Sequence, residues 1–242
     1  MMDCNRLIKS FLIFSILFNI ILMLLCVYIC CFKTDIFKRT IYKLTNDVYT
    51  APRNDDDCVK SWNSCIRKLE IDSDIVFFGN SITEGGEFQE FFHDKKVVVM
   101  GYIGEDTKGM LRRVNAISSV NPEKIFLMAG INGLKSQQLD YFSKWYEILV
   151  DSIKKSNPNT ELYIQSILPV EKNSVFCNNE KIRSANLILQ EIARERKLIF
   201  IDLHEDYFKD GGLDQDMSYD GVHLKKESYT IWVEKIKKYV YD

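Results

Sequence analysis

Three short stretches of this chain carry residue types that could do chemistry together. They are Asn80-Ser81 in "IVFFGNSITEGGEF", Asn132 in "MAGING", and Asp220 with His223 in "DGVHL". A serine hydroxyl is a poor nucleophile until a base takes its proton. Histidine is the side chain suited to that task near neutrality. An aspartate on the other ring nitrogen fixes the tautomer and stabilises the imidazolium. Asp220 and His223 are three residues apart, so a turn or helix start can put both side chains on one side. Acyl transfer also creates an oxyanion, which needs preorganised N–H donors. The backbone amides of Ser81 and of Gly104, in "GYIGEDT", and the side-chain amide of Asn132 could supply three. Each residue also has a plainer role open to it: Ser81 as a helix N-cap, Gly104 in a tight turn, Asn132 in an Asx-turn.

The chain has only three histidines, so the base can be sought by elimination. His93, in "EFFHDKK", falls at a helix end and is expected on the surface. His204, in "IDLHEDY", competes, because Asp202 lies two residues before it. Spacing alone leaves an Asp202/His204 pair open. Glu84 and Glu87 read as solvated carboxylates at helix starts.

These residues must be positioned by elements, and from Asp74 onward the pattern alternates. The runs "DIVFFG", "KVVVMG", "KIFLMAG", "ELYIQSI" and "KLIFIDL" are short, nearly continuously apolar and rich in β-branched and aromatic residues. Such runs suit strands covered on both faces. Helical patterns lie between and after them, over about 106–119, 136–155, 179–196 and 224–240, with a shorter one at Phe88, Phe91 and Phe92. Strand–helix alternation predicts a five-stranded parallel sheet with helices on both faces, one three-layer α/β domain over 58–242. Ligands of such sheets bind beyond the carboxyl ends of the strands. Ser81, Gly104 and Asn132 each follow a predicted strand, and "DGVHL" precedes the last helix.

Ahead of this domain the composition changes. Ser10 to Phe32 is an uncharged run of 23 residues, and about 20 apolar residues cross a bilayer as a helix. Bulky residues stand where a signal peptidase needs small ones. The run reads as a single-pass transmembrane signal anchor over 10–32, preceded by a tail over 1–9 and followed by a juxtamembrane linker over 33–57. Arg6 and Lys9 precede the run, while Lys33, Lys38, Arg39 and Lys43 follow it, and this small asymmetry leaves the orientation open. A net charge of −2 gives no electrostatic case for nucleic acid. Seven cysteines include no pair or Cys/His cluster at zinc spacing. Cys58 and Cys65 share a predicted helix face too far apart for a disulfide, and they read as thiols, like the isolated Cys177.

Taken together, "GNSIT", the glycine of "GYIGEDT", "GIN" and "DGVH" resemble the four sequence blocks of the SGNH (GDSL-like) hydrolase superfamily. The branch they resemble contains platelet-activating-factor acetylhydrolase-like and carbohydrate O-acetylesterases. Each block alone is weak; four in order at predicted strand ends are specific. The resemblance implies a flavodoxin-like α/β fold and ester hydrolysis without metal or cofactor. It implies Ser81 as nucleophile, His223 as base, Asp220 as its orienting acid, and Ser81, Gly104 and Asn132 as the oxyanion hole. It turns the choice of base away from His204, and it favours an extracytoplasmic site of action. Two departures stand out: Asn80 replaces the usual aspartate, and Gly133 follows Asn132 where a polar residue is usual. A missing polar side chain there is expected to loosen the Asn132 loop.

The loops "LPVEKNSVFCNN" and "KDGGLDQDMSY" should border the site, with Phe176, Met217 and Tyr219 as substrate-contacting candidates. The expected function is hydrolysis of a short acyl ester, acetyl by resemblance, of a carbohydrate or related alcohol. A lysophospholipase or thioesterase, acyl transfer to a sugar, and a non-catalytic tethered binding module are the alternatives.

Overall fold

The computed structural model describes Ser15, Phe18, Asn19, Met23, Ser64 and residues 72–242. The chain divides into two units, Met1–Val48 and Tyr49–Asp242. The tail expected over 1–9, all but four positions of the span expected over 10–32, the linker over 33–57 and the Cys58–Cys65 helix face lie outside the described residues. Among the described residues no helix is long and apolar enough to cross a membrane.

The second unit carries an α/β fold. In chain order its elements are β1 (Ile75–Asn80), α1 (Ser81–Glu84), α2 (Phe88–Phe91), β2 (Val97–Tyr102), α3 (Thr107–Met110), α4 (Val114–Ile117) and β3 (Lys124–Met128). There follow α5 (Ile131–Leu134), α6 (Leu139–Ser156), β4 (Glu161–Gln165), α7 (Asn179–Glu195), β5 (Ile199–Ile201) and α8 (His204–Tyr207). A short hairpin, β6 (Phe208–Lys209) and β7 (Gly212–Leu213), leads towards the last helix, α9 (Tyr229–Tyr241). Strands β1 to β5 form one parallel sheet in the order β2-β1-β3-β4-β5. This is the five-stranded sheet expected, and the strand order reverses at β1, which lies between β2 and β3.

Register explains the core. Phe77 lies beside Phe126, and Phe126 beside Tyr163, and their rings stack at 5.2 and 4.8 Å. Phe88 of α2 stacks on Phe77 at 3.8 Å and meets Trp232 of α9 edge-on at 5.1 Å. Phe78 points to the opposite face, as alternation requires, with the Arg113 guanidinium 4.9 Å from its ring centre. Helices α6 and α7 each bury an apolar stripe, Phe142, Tyr146, Leu149 and Ile153 on one, Ile182, Ala185, Leu189 and Ile192 on the other.

Two local outcomes differ from the expectation. The helical pattern over 106–119 is broken into α3, a 3₁₀ turn at Leu111–Arg113, and α4. The tightening falls where the Arg113 side chain is drawn inward to Glu105 and to carbonyls of β1 and β2. The β6–β7 hairpin was not expected; Asp210 and Gly211, at φ 51° and 102°, make its two-residue turn. It carries the loop before α9 against the loop after β4, with Leu213 N–H donating to Val170 O at 2.8 Å.

Candidate active site

Strand β1 ends against two glycines that register places side by side, Gly79 and Gly101. A Cβ on Gly79 would fall 2.0 Å from Thr83 Oγ1, and one on Gly101 2.2 Å from Glu84 N. The missing side chains let α1 lie directly on the strand ends. Asn80 is buried and caps α1, its Oδ1 accepting from Ile82 N–H at 3.0 Å. The cap role open to Ser81 therefore belongs to Asn80, and Ser81, the first helical residue, keeps its hydroxyl for another partner.

That partner is His223. Ser81 Oγ lies 2.9 Å from His223 Nε2, and His223 Nδ1 lies 2.7 Å from Asp220 Oδ2. Asp220 Oδ1 also accepts from the backbone N–H of His223 at 2.8 Å and of Val222 at 3.0 Å. Burial alone would raise the Asp220 carboxyl, but these hydrogen bonds, with the ring's first among them, outweigh it and hold the group at about 2. An ionised Asp220 only accepts, so Nδ1 bears a proton, the tautomer that leaves Nε2 to accept from the Ser81 hydroxyl. Half of the Asp220 side chain and 44% of the His223 side chain face solvent, so the chain of three opens outward.

The loop bearing Asp220 and His223 is tied down locally and at a distance. Ser218 Oγ donates to His223 O at 2.7 Å and accepts from Gly221 N–H at 2.9 Å. Six residues beyond His223, the buried Tyr229 hydroxyl donates to Ile82 O at 2.7 Å, joining α9 to the helix that begins at Ser81. Lys226 pairs with Glu87, so Glu87 is an ion-paired carboxylate and not merely a solvated one. Sequence reasoning missed Ser218 and Tyr229, whose partners are distant or backbone groups that no motif specifies.

Gly104 and Asn132 follow β2 and β3, the strands on either side of β1. Gly104 takes φ 74°, a left-handed conformation that favours glycine. Asn132 Nδ2 donates to Glu105 O at 2.9 Å, which uses one of its two N–H groups and leaves the other. Gly133 does leave a gap beside Asn132, but Gln137 fills it: a Cβ on Gly133 would lie 2.8 Å from Gln137 Oε1. Gln137 Nε2 donates to Asp106 Oδ2 at 3.1 Å, and its backbone N–H to Gly133 O at 2.9 Å. The Asn132 loop is thus fastened to the Gly104 loop by the side chain of Gln137, four residues beyond Gly133.

Beneath that loop lies a buried ion pair. Arg113 donates through Nε to Glu105 Oε2 at 2.7 Å and through a second nitrogen to the same oxygen. It also donates to Met100 O at 3.0 Å and to Gly79 O at 3.1 Å. Burial pushes the Glu105 carboxyl above its usual range, and Arg113 offsets this only in part. Neither residue figured in the sequence reading. The available signal was helical spacing, which puts Arg113 on one face with Met110, Val114 and Ile117.

The competing histidine pair does not form. The Asp202 carboxylate accepts the backbone N–H of His204 at 2.9 Å, and the His204 ring turns to Glu205, 3.1 Å away. Burial lowers the His204 pKa, and its Nε2 has no hydrogen-bond partner. His93 is exposed, as expected. Of the substrate-contacting candidates, Phe176 and Met217 pack partly buried against the core, and Tyr219, beside Asp220, is 72% exposed.

With this geometry established, the chain can be set beside known proteins. The profile of the GDSL-like Lipase/Acylhydrolase family matches residues 77–231. No curated protein matches the sequence. A Streptococcus pneumonia protein provisionally described as a platelet activating factor is similar at TM-score 0.69 and 25% identity, over 84% of this chain and 99% of that one. A GDSL-like lipase from Bacteroides thetaiotaomicron VPI-5482 gives 0.65 and 21%, over 78% and 98%. An acetyl xylan esterase gives 0.57 and 21%, over 69% and 98%.

Proposed function

This chain belongs to the GDSL-like lipase/acylhydrolase family and is a serine ester hydrolase, and we propose that it removes a short acyl group, acetyl first, from a carbohydrate or related alcohol, with Ser81, His223 and Asp220 as its triad. The observation that carries the triad is the unbroken chain from Ser81 Oγ through both ring nitrogens of His223 to Asp220, at 2.9 and 2.7 Å.

In this reading His223 Nε2 takes the Ser81 proton as Oγ attacks the ester carbonyl carbon. The tetrahedral oxyanion is held by the N–H groups of Ser81 and Gly104 and by the second Nδ2–H of Asn132. Asp220, ionised throughout, stabilises the imidazolium. His223 then gives its proton to the departing alkoxide oxygen, which leaves as the alcohol and an acyl-Ser81. Water, deprotonated by His223, attacks the acyl carbon; the intermediate collapses to the carboxylic acid as the Ser81 Oγ–carbon bond breaks and His223 returns the proton to Ser81 Oγ.

Resemblance to an acetyl xylan esterase supports the acetyl and carbohydrate parts of the reading. The uncharged run over 10–32 supports a membrane anchor. One experiment tests both. Washed membranes from cells expressing the full chain should release acetate from an acetylated pentose or hexose faster than fatty acid from a lysophospholipid. A faster lysophospholipid reaction would overturn the acyl preference, and activity found in the soluble fraction would overturn the anchor.

A further inference from the structure

Three donors can hold an oxyanion only if three loops from three strands keep a fixed spacing, and Glu105 and Arg113 touch all three. Glu105 immediately follows Gly104. Its carbonyl accepts from Asn132 Nδ2 at 2.9 Å and so aims that amide. Its carboxylate is gripped by Arg113. Arg113 in turn donates to Gly79 O at 3.1 Å, two residues before Ser81, and to Met100 O at 3.0 Å, on the strand that leads into Gly104. Both side chains are fully buried.

A buried pair of this kind is weak evidence of added stability, since desolvation consumes much of the attraction and apolar residues of like volume often serve as well. The fork of the guanidinium does what apolar residues cannot: it fixes two backbone carbonyls and one carboxylate in a single plane. Resting on the triad and oxyanion hole proposed above, we propose that the Glu105–Arg113 pair is the positioning element of the oxyanion hole, setting the distances among the Ser81, Gly104 and Asn132 donors. The pair does not touch substrate. It acts through the donors, and therefore on the transition state more than on the bound ester.

The test compares the full chain with Glu105→Gln, Arg113→Met and the paired Glu105→Leu/Arg113→Met variant, each with thermal unfolding and p-nitrophenyl acetate kinetics. Misplacing donors by a fraction of an ångström to an ångström should lower kcat by about 10- to 100-fold, with KM held within about twofold. The paired apolar variant, even where its unfolding temperature matches the parent's, should stay slow. In Glu105→Gln/Asn132→Ala the losses should be less than multiplicative, because both act on the same donor. A folded apolar pair with parental kcat would overturn the proposal, as would losses that multiply and fall equally on KM. If the apolar pair does not fold, Glu105→Gln decides by the same kcat and coupling criteria. Ser81→Ala runs alongside: activity surviving there removes the triad reading and this proposal with it, whereas its loss beside a fast Glu105→Gln sinks the positioning role alone.

Discussion

At the scale of single residues, the account turns on the charge of Asp220. Its carboxyl lies at about 2, down from 3.8, because bonds from the His223 ring and from two backbone N–H groups outweigh burial. A carboxyl lowered in the folded state contributes stability that is full above its unfolded value. That contribution is lost as the pH falls from 3.8 through about 2. Asp220→Asn should therefore flatten the acid-unfolding curve in that window, and it should cut kcat by about 10⁴-fold by freeing the imidazole tautomer. An unchanged acid-unfolding curve would contradict the assigned charge. That Ser81, Asp220 and His223 could meet is legible in the sequence, because each stands in a short motif whose neighbours are local. Glu105 and Arg113 are not legible in the same way. Helical spacing sets Arg113, and not the exposed Arg112, on the apolar face with Met110, Val114 and Ile117, but only the packing supplies its partners Glu105, Gly79 and Met100.

At the scale of elements, the proposed reaction centre depends on how closely α1 seats on β1 and β2. The expected strands are present because their runs are too short for buried helices and rich in β-branched and aromatic residues. The hairpin at Phe208–Leu213 went unread, since two-residue strands bury too little to leave a pattern and only Asp210-Gly211 marked the turn. Gly101 carries no chemistry, yet a methyl there would meet the backbone of α1 at Glu84. Gly101→Ala must lift α1 or push β2 aside, at about 1–3 kcal/mol of stability by the usual cost of overpacking. The displaced Ser81 should lower kcat by about 100-fold. Thermal unfolding and kcat measured together check this, and an alanine variant with both values unchanged would mean that the close seating of α1 is not needed.

At the scale of the whole molecule, the α/β fold gathers residues from four distant stretches onto one rim. Ser81 and His223 are 142 positions apart and 2.9 Å apart in space. Two kinds of fastening hold them there. Tyr229 ties the helix after His223 to the helix of Ser81, and the Glu105–Arg113 pair ties the loops on the other side. The sequence specifies the rim through its strand ends, and it leaves these fastenings to packing between segments remote in the chain. The claim on which the rest depends is that the Ser81 hydroxyl is activated by His223. It is tested most directly by treating the full chain with a serine-reactive fluorophosphonate and mapping the adduct by mass spectrometry, beside His223→Ala. A single adduct on Ser81, formed at least about 100-fold more slowly in His223→Ala, is the expected result. Labelling elsewhere, or labelling of Ser81 at the same rate without His223, would contradict it.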